Sequence, residues 1–150
     1  MIYSNRLKEL REEKNISQQD IAKYLKIDNS LYAKYEKEYY VMPIKHLNNL
    51  RNYFNVSFDY LFGLTNKLNY KENINEIDSL KSGNRIKEFR KENKITQERL
   101  ASELNMARSA LANYERGRTV IATPFLYTIC KKYQISADYL LGKIDEKITF

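Results

Sequence analysis

The feature that most constrains this chain is an internal repeat. Shifted by 79 residues, positions 5–63 lie on 84–142 without a gap, with 21 identical pairs over 59 positions. NRLKELREEKNISQQDIAKYL lies on NRIKEFRKENKITQERLASEL, and VSFDYLFG lies on ISADYLLG. Two copies are too few for a solenoid, and each copy carries enough periodic apolar residues for a core of its own. The chain therefore reads as two similar small domains, 5–63 and 84–142, with a linker at 64–83 and a tail at 143–150.

Within each copy the apolar spacing is helical. Leu7 and Leu10, or Ile86 and Phe89, mark a charged first helix opening near Ser4 or Ser82. Ser17 and Thr96 are good N-caps for second helices over Gln18–Leu25 and Gln97–Leu104. Third helices run from about Asn29 to Lys37 and Arg108 to Arg116, anchored by Tyr32 and Tyr35 or by Leu111 and Tyr114. Pro43 and Pro124 mark fourth helices, and Ser57–Phe62 and Ser136–Leu141 are short fifth helices stopped by Gly63 and Gly142. With only 4 Gly and 2 Pro, an all-β sandwich lacks its turns. The linker is either a short helix, because Ile74, Ile77 and Leu80 recur every three residues, or a polar tether. The tail KIDEKITF is either a partner-binding strand or a fraying end.

The residues then carry a resemblance. The pattern R-x-x-x-x-x-[ST]-Q-x-x-[IL]-A-x-x-L, starting at Arg11 or Arg90, then S-x-x-x-x-Y-E from Ser30 or Ser109, then S-x-D-Y-L-x-G, recurs in both copies. This pattern resembles the Cro/CI (Xre-type) helix-turn-helix family of transcriptional regulators, over about 118 of 150 residues. The resemblance implies an all-α fold: two tandem five-helix lambda-repressor-like DNA-binding domains joined by a linker. It also implies a double-stranded DNA operator as partner, read in the major groove by the third helix of each domain. Base readers would be Asn29, Ser30 and Lys34 in the first copy and Arg108, Ser109 and Asn113 in the second. Phosphate contacts fall to Gln18, Gln97, Arg116 and Arg118. Arg11 with Glu36, and Arg90 with Glu115, match a pair that forms a buried structural salt bridge in that family.

The copies differ. Lys26 and Asn105 stand in the turn where such families usually carry Gly, and Asn tolerates positive φ better than Lys. The second copy keeps Gly117 after its third helix, where the first has Glu38, and Asp28 stands where it would face phosphate. Residues 84–150 hold thirteen basic and eight acidic residues, against ten and eight in 1–66. The second copy is therefore expected to be the stronger DNA reader. A protein-interaction role, as an antirepressor or an antitoxin-like partner, is the alternative for one or both copies, and at least for the first.

Other functions find little support. No Gly-rich phosphate loop, HExxH, GxSxG or paired-Cys motif is present, so no enzyme, cofactor or metal site is expected. Cys130 is the only cysteine and reads as a small core residue; His46 is the only histidine and reads as surface or helix packing. The 13 Tyr raise single-strand stacking as a function, but many of them fall at core positions. No run is long enough to cross a membrane, and MIYSNRLKEL does not read as a signal peptide, so a cytoplasmic location is expected. A homodimer and a protein antagonist are both compatible partners. If all 20 linker residues are flexible, the tether spans about 25 Å on average and stretches to roughly 65–70 Å. That reach would place both heads on one operator, whose half-sites lie roughly 34–36 Å apart.

Overall fold

The computed structural model describes residues 2–150, which form two compact units divided between Asn69 and Tyr70. The first holds α1 (Ile2–Glu13), α2 (Gln18–Leu25), α3 (Asn29–Glu36), α4 (Ile44–Phe54) and α5 (Phe58–Leu61). The second holds α6 (Ser79–Glu92), α7 (Gln97–Glu103), α8 (Arg108–Glu115), α9 (Thr123–Tyr133) and α10 (Ala137–Leu140). The fold is all-α, with one isolated antiparallel bridge, Ile135 to Thr149, among the described residues.

Local chemistry sets most helix boundaries. Ser17 Oγ accepts from the Asp20 N–H while Asp20 accepts from the Ser17 N–H, a reciprocal capping box. Thr96 caps α7, and Ser57 and Ser136 cap α5 and α10, each through the third N–H of its helix. Pro43 precedes α4 and Pro124 sits in the first turn of α9, where a missing N–H costs nothing. The first helix of each unit starts earlier than its serine suggests. α1 opens at Ile2 and α6 at Ser79, with Asp78 accepting from the Leu80 and Lys81 N–H groups. Ser4 and Ser82 are buried helix-interior residues, not caps.

Each unit closes over its own core. Leu7, Ile21, Tyr32, Leu47, Leu50, Phe58, Leu61 and Phe62 are fully buried in the first. Ile86, Leu100, Leu111, Leu126, Ile129, Cys130, Leu140 and Leu141 are fully buried in the second. Tyr35 is buried, whereas Tyr114, also expected in the core, is half-buried with its ring 6.5 Å from that of Phe125. Its matching contact in the first unit joins Tyr35 to His46 at 6.2 Å, so His46 packs between helices, and burial holds its pKa below the usual value.

The segments flanking the helices are fastened as well. After α5 the chain folds back so that Leu68 O accepts from the Ser57 N–H at 2.7 Å. The Asn69 amide reaches Asn55 at 2.8 Å, and Arg51 donates to Asn69 while its Nε binds Val56 O. The tail 143–150 makes the same move: Ile148 O accepts from the Ser136 N–H, and the Phe150 N–H donates to Gln134 O. The tail is thus tied back onto the second unit. Ahead of α6, the Ile74 N–H donates to Lys143 O, and Lys143, fully buried, donates its ammonium to Asn75 O at 2.8 Å. The helical alternative for the linker holds only from Ser79 onward; Ile74 and Ile77 lie outside any helix.

α6 and α8 approach so closely that only glycine fits between them. A Cβ on Gly83 would stand 2.3 Å from Tyr114 O and 2.7 Å from Glu115 O, both backbone atoms that cannot rotate away. We expect Gly83→Ala to destabilise the second unit by about 1–3 kcal/mol in spite of its better helix propensity. Urea unfolding followed by hydrogen exchange at α8 amides measures this; Ser4→Ala, at the matching position of the first unit, serves as the mild control.

A second contrast titrates. In the second unit Glu103 accepts from the Tyr133 hydroxyl and pairs with Lys132 at 3.2 Å and Arg99 at 3.3 Å. The Tyr133 hydrogen bond, aided by the two cations and opposed by burial, holds its carboxyl below the ordinary 4.5. A lowered folded pKa stabilises the fold above the unfolded value, and that stability is lost as pH falls through the folded one. At the positions matching Glu103 and Lys132 the first unit has Tyr24 and Tyr53, whose ring centroids lie 4.7 Å apart at a 53° tilt. Acidification from pH 6 to pH 3 is expected to lower the Tm of the second unit, and Tyr133→Phe to shrink that pH dependence, as calorimetry across the range would show.

Candidate nucleic-acid interface

In each unit the second helix, which packs on the third, carries a buried alanine, Ala22 or Ala101, whose small side chain suits close packing. The turn between them needs a left-handed residue, and Lys26 (φ 59°) and Asn105 (φ 56°) supply it without glycine. The N–H of the next residue, Ile27 or Met106, then closes the turn onto the carbonyl of that same alanine. This geometry fixes the third helix against its neighbours.

One carboxylate ties three helices together. Glu36, at the end of α3, receives Arg11 of α1 through Nε at 3.1 Å and Nη2 at 3.0 Å. Gln18, at the start of α2, donates to its other oxygen at 2.9 Å. In the second unit Arg90 reaches Glu115 at 2.8 and 2.9 Å, and Gln97 donates at 3.1 Å. Each arginine also donates to a loop carbonyl, Ile16 O or Ile95 O, at 2.9 Å. For Arg90 the Glu115 hydrogen bond raises the pKa against burial; for Arg11 burial opposes a net rise driven by Glu36. Gln18 and Gln97 are thus partly engaged inside the protein, which sequence reasoning did not foresee.

With the inner side fixed, the outer side of the third helix faces solvent. Asn29, Ser30 and Lys34 of α3 are exposed, as are Arg108 and Ser109 of α8, while Asn113 is half-buried. Arg116 and Arg118 are exposed immediately after α8. Gly117 (φ 76°) lies against Leu80, and Ser79 Oγ donates to its carbonyl at 2.8 Å, so α6 pins the end of α8.

The two faces differ in charge. Arg108, Arg116 and Arg118 surround α8, and its nearest acid, Glu115, is buried in its ion pair. Around α3, Lys34 and Lys37 are offset by exposed Asp28 and Glu38. Asp28 begins α3 without a side-chain cap bond. Sequence reasoning also missed the loop after α3: Tyr39 and Tyr40 are 71% and 54% exposed where the second unit has Arg118 and Thr119. The Lys34 ammonium lies 5.2 Å from the centre of the Tyr40 ring. The available signal was their place between a third helix and Pro43, beyond the helical period. Among the described residues no cluster of His, Cys, Asp or Glu is arranged to hold a metal, and no helix is long and apolar enough to cross a membrane.

Comparison with known proteins agrees with this architecture. The family model of a helix-turn-helix domain matches the chain twice, over residues 4–67 and 83–146. The HTH-type transcriptional regulator ImmR of Bacillus subtilis (strain 168) is 41% identical over 61 residues, 41% of this chain and 48% of that protein. The uncharacterized HTH-type transcriptional regulator YobD of the same organism is 32% identical over 62 residues, 41% of this chain and 55% of that protein. The match therefore spans about half the length of these curated relatives. No solved structure matches the chain. Two matched segments that take in most of the sequence, each on a unit with the helix pair described above, make this chain a tandem member of the helix-turn-helix domain family.

Proposed function

We propose that the chain is a sequence-specific, double-stranded DNA-binding transcriptional regulator that represses by occupying its operator. The observation that carries this reading is the two-sided third helix: its inner side is locked by an ion pair and its outer side is polar and exposed. An α-helix of this kind fits the major groove. Arg108 pairs with guanine, and Asn113 and Asn29 with adenine; Ser109, Ser30 and Lys34 complete the two base-reading sets. Arg116 and Arg118 hold the flanking phosphates. Gln18 and Gln97 keep one amide hydrogen on the ion-pair carboxylate and offer the second, with the N-terminal N–H groups of α2 and α7, to phosphate. The similarity to proteins named transcriptional regulators supports the same reading.

The charge contrast assigns unequal roles. The second unit supplies most of the electrostatic affinity, and the first reads with a nearly neutral face. One titration of duplex binding against salt, with operator and random duplex compared, tests both kinds of contact. Arg108→Ala and Asn113→Ala should each reduce operator preference about 10- to 100-fold, the equivalent of roughly 1–3 kcal/mol. Arg116→Ala and Arg118→Ala should weaken binding to every duplex and each lower the salt slope by about 1. Equal affinity of the unaltered chain for all duplexes would end the specificity reading.

A second reading applies to the first unit alone, favoured by Asp28, Glu38 and the bare Tyr39-Tyr40 loop: it holds another protein rather than DNA. The double variant Asn29→Ala, Lys34→Ala separates the two. Under the DNA reading, operator affinity drops at least several-fold while the fold, followed by circular dichroism, is intact; unchanged affinity supports the protein partner.

A further inference from the structure

The loop after the third helix carries different chemistry in the two units on one backbone. In the second unit the Gly117 N–H donates to Tyr114 O at 3.0 Å and the Arg118 N–H to Asn113 O at 3.1 Å. In the first the Glu38 N–H donates to Tyr35 O at 3.2 Å and the Tyr39 N–H to Lys34 O at 2.9 Å. Gly117 and Glu38 are both left-handed, at φ 76° and 63°. Tyr39 therefore leaves α3 as Arg118 leaves α8, and Tyr40 stands at the place of Thr119. Buried Met42, like buried Ile121, then returns the chain to the core, so each loop is held at both ends.

Between those fixed ends both tyrosine rings stand in solvent, where they add little to the core of their own unit. The loop is continuous with the outer side of α3. The ammonium of exposed Lys34 lies over the Tyr40 ring, within cation–π range. Bare rings suit a protein surface as well as a duplex. The contact with Lys34, and the backbone position shared with Arg118, favour the duplex. A phenolic hydroxyl donates to a phosphate oxygen as a guanidinium does, but it is an uncharged donor that releases no counterion. A charge also pulls on any duplex within a Debye length, roughly 8 Å, whereas a hydroxyl acts only at hydrogen-bond distance. On the reading of the third helices as DNA readers, we propose that Tyr39 and Tyr40 form the backbone clamp of the first unit, donating their hydroxyls to phosphates beside its half-site. The clamp closes only once α3 is seated in the groove, and salt does not loosen it.

The test uses the full chain, an operator found by random-site selection and a scrambled duplex, each titrated against salt. Tyr39→Phe and Tyr40→Phe keep the rings and remove the hydroxyls at exposed positions; circular dichroism checks the fold. Each is expected to weaken operator binding about 3- to 10-fold at every salt concentration, with the salt slope unchanged. Tyr39→Arg should steepen the slope by about 1 and tighten binding to the scrambled duplex as well. Neutral methylphosphonates placed singly along the operator then locate the clamp. At the clamped phosphates the natural chain should lose more affinity than the double Phe variant does. Operator affinity of the double variant equal to that of the natural chain overturns the proposal, leaves DNA reading by the third helices intact and gives the loop to a protein partner. Equal losses for both proteins at every methylphosphonate also overturn it. If the natural chain binds no duplex, the DNA reading fails and the proposal with it.

Discussion

A single buried carboxylate organises each unit. Glu36 or Glu115 ends the third helix, takes a bidentate guanidinium from the first helix and an amide from the second. Buried ion pairs add little when weighed against an apolar substitute, but losing one partner costs about 3–5 kcal/mol because the other charge is stranded. The bond is also directional. Two parallel N–H···O contacts fix the carboxylate in angle as well as distance, which a leucine contact would not do. The orientation this sets decides what the outer side shows, since a third helix rolled by one residue presents different side chains. The same arginine satisfies the carbonyl of Ile16 or Ile95 and so fixes the loop that leads into the second helix.

On this common frame the two units diverge at matched positions. The second uses Asn105 and Gly117 where the backbone turns left-handed; the first places Lys26 and Glu38 there, at φ 59° and 63°. Non-glycine residues in that region cost of order 1–3 kcal/mol and persist only where the surroundings hold them. Elsewhere the first unit replaces charge with rings: Tyr24 stacks on Tyr53 where Glu103 pairs with Lys132. It also replaces small with charged, since Arg51 is buried where Cys130 packs in the second unit, and that guanidinium fastens the segment after α5. The two units thus reach one fold with different residues, and the surface charge is left free to differ.

How legible all this was in the sequence depends on how local its cause is. Ser17 and Thr96 were readable as caps because a hydroxyl three residues ahead of an N–H acts within one turn. The apolar periodicity placed α2, α3 and α4 for the same reason. Ser82 misled because a serine beside a glycine resembles a helix start, whereas Asp78, earlier in the chain, does the capping. Gly83 resembled a linker end, and only the crossing of α6 with α8 shows why it lacks a side chain. The fastened flanks were illegible for a stronger reason. Lys143 and Asn75 are 68 positions apart, and a lysine in a polar stretch gives no sign that it will be buried. Within the candidate site, the outward residues of α8 were named through the family resemblance, whereas the glutamine-to-carboxylate bonds and the bare Tyr39-Tyr40 loop depend on tertiary placement.

On the proposed DNA reading, a head with a nearly neutral face is not idle when it is joined to a strong one. Alone, a head limited to non-specific contacts binds duplex with a Kd of roughly 10⁻⁴–10⁻⁶ M. Joined through a short path to a head already bound, it meets its half-site at an effective concentration in the mM range. That ratio corresponds to about 10- to 1000-fold in occupancy, enough to decide whether an operator is held. On that reading, a weaker grip by the first unit, drawn from Asp28, Glu38 and the missing arginines, acts as discrimination. A strongly basic head would grip any duplex beside the first contact, whereas a neutral one adds affinity only where its few base contacts are met.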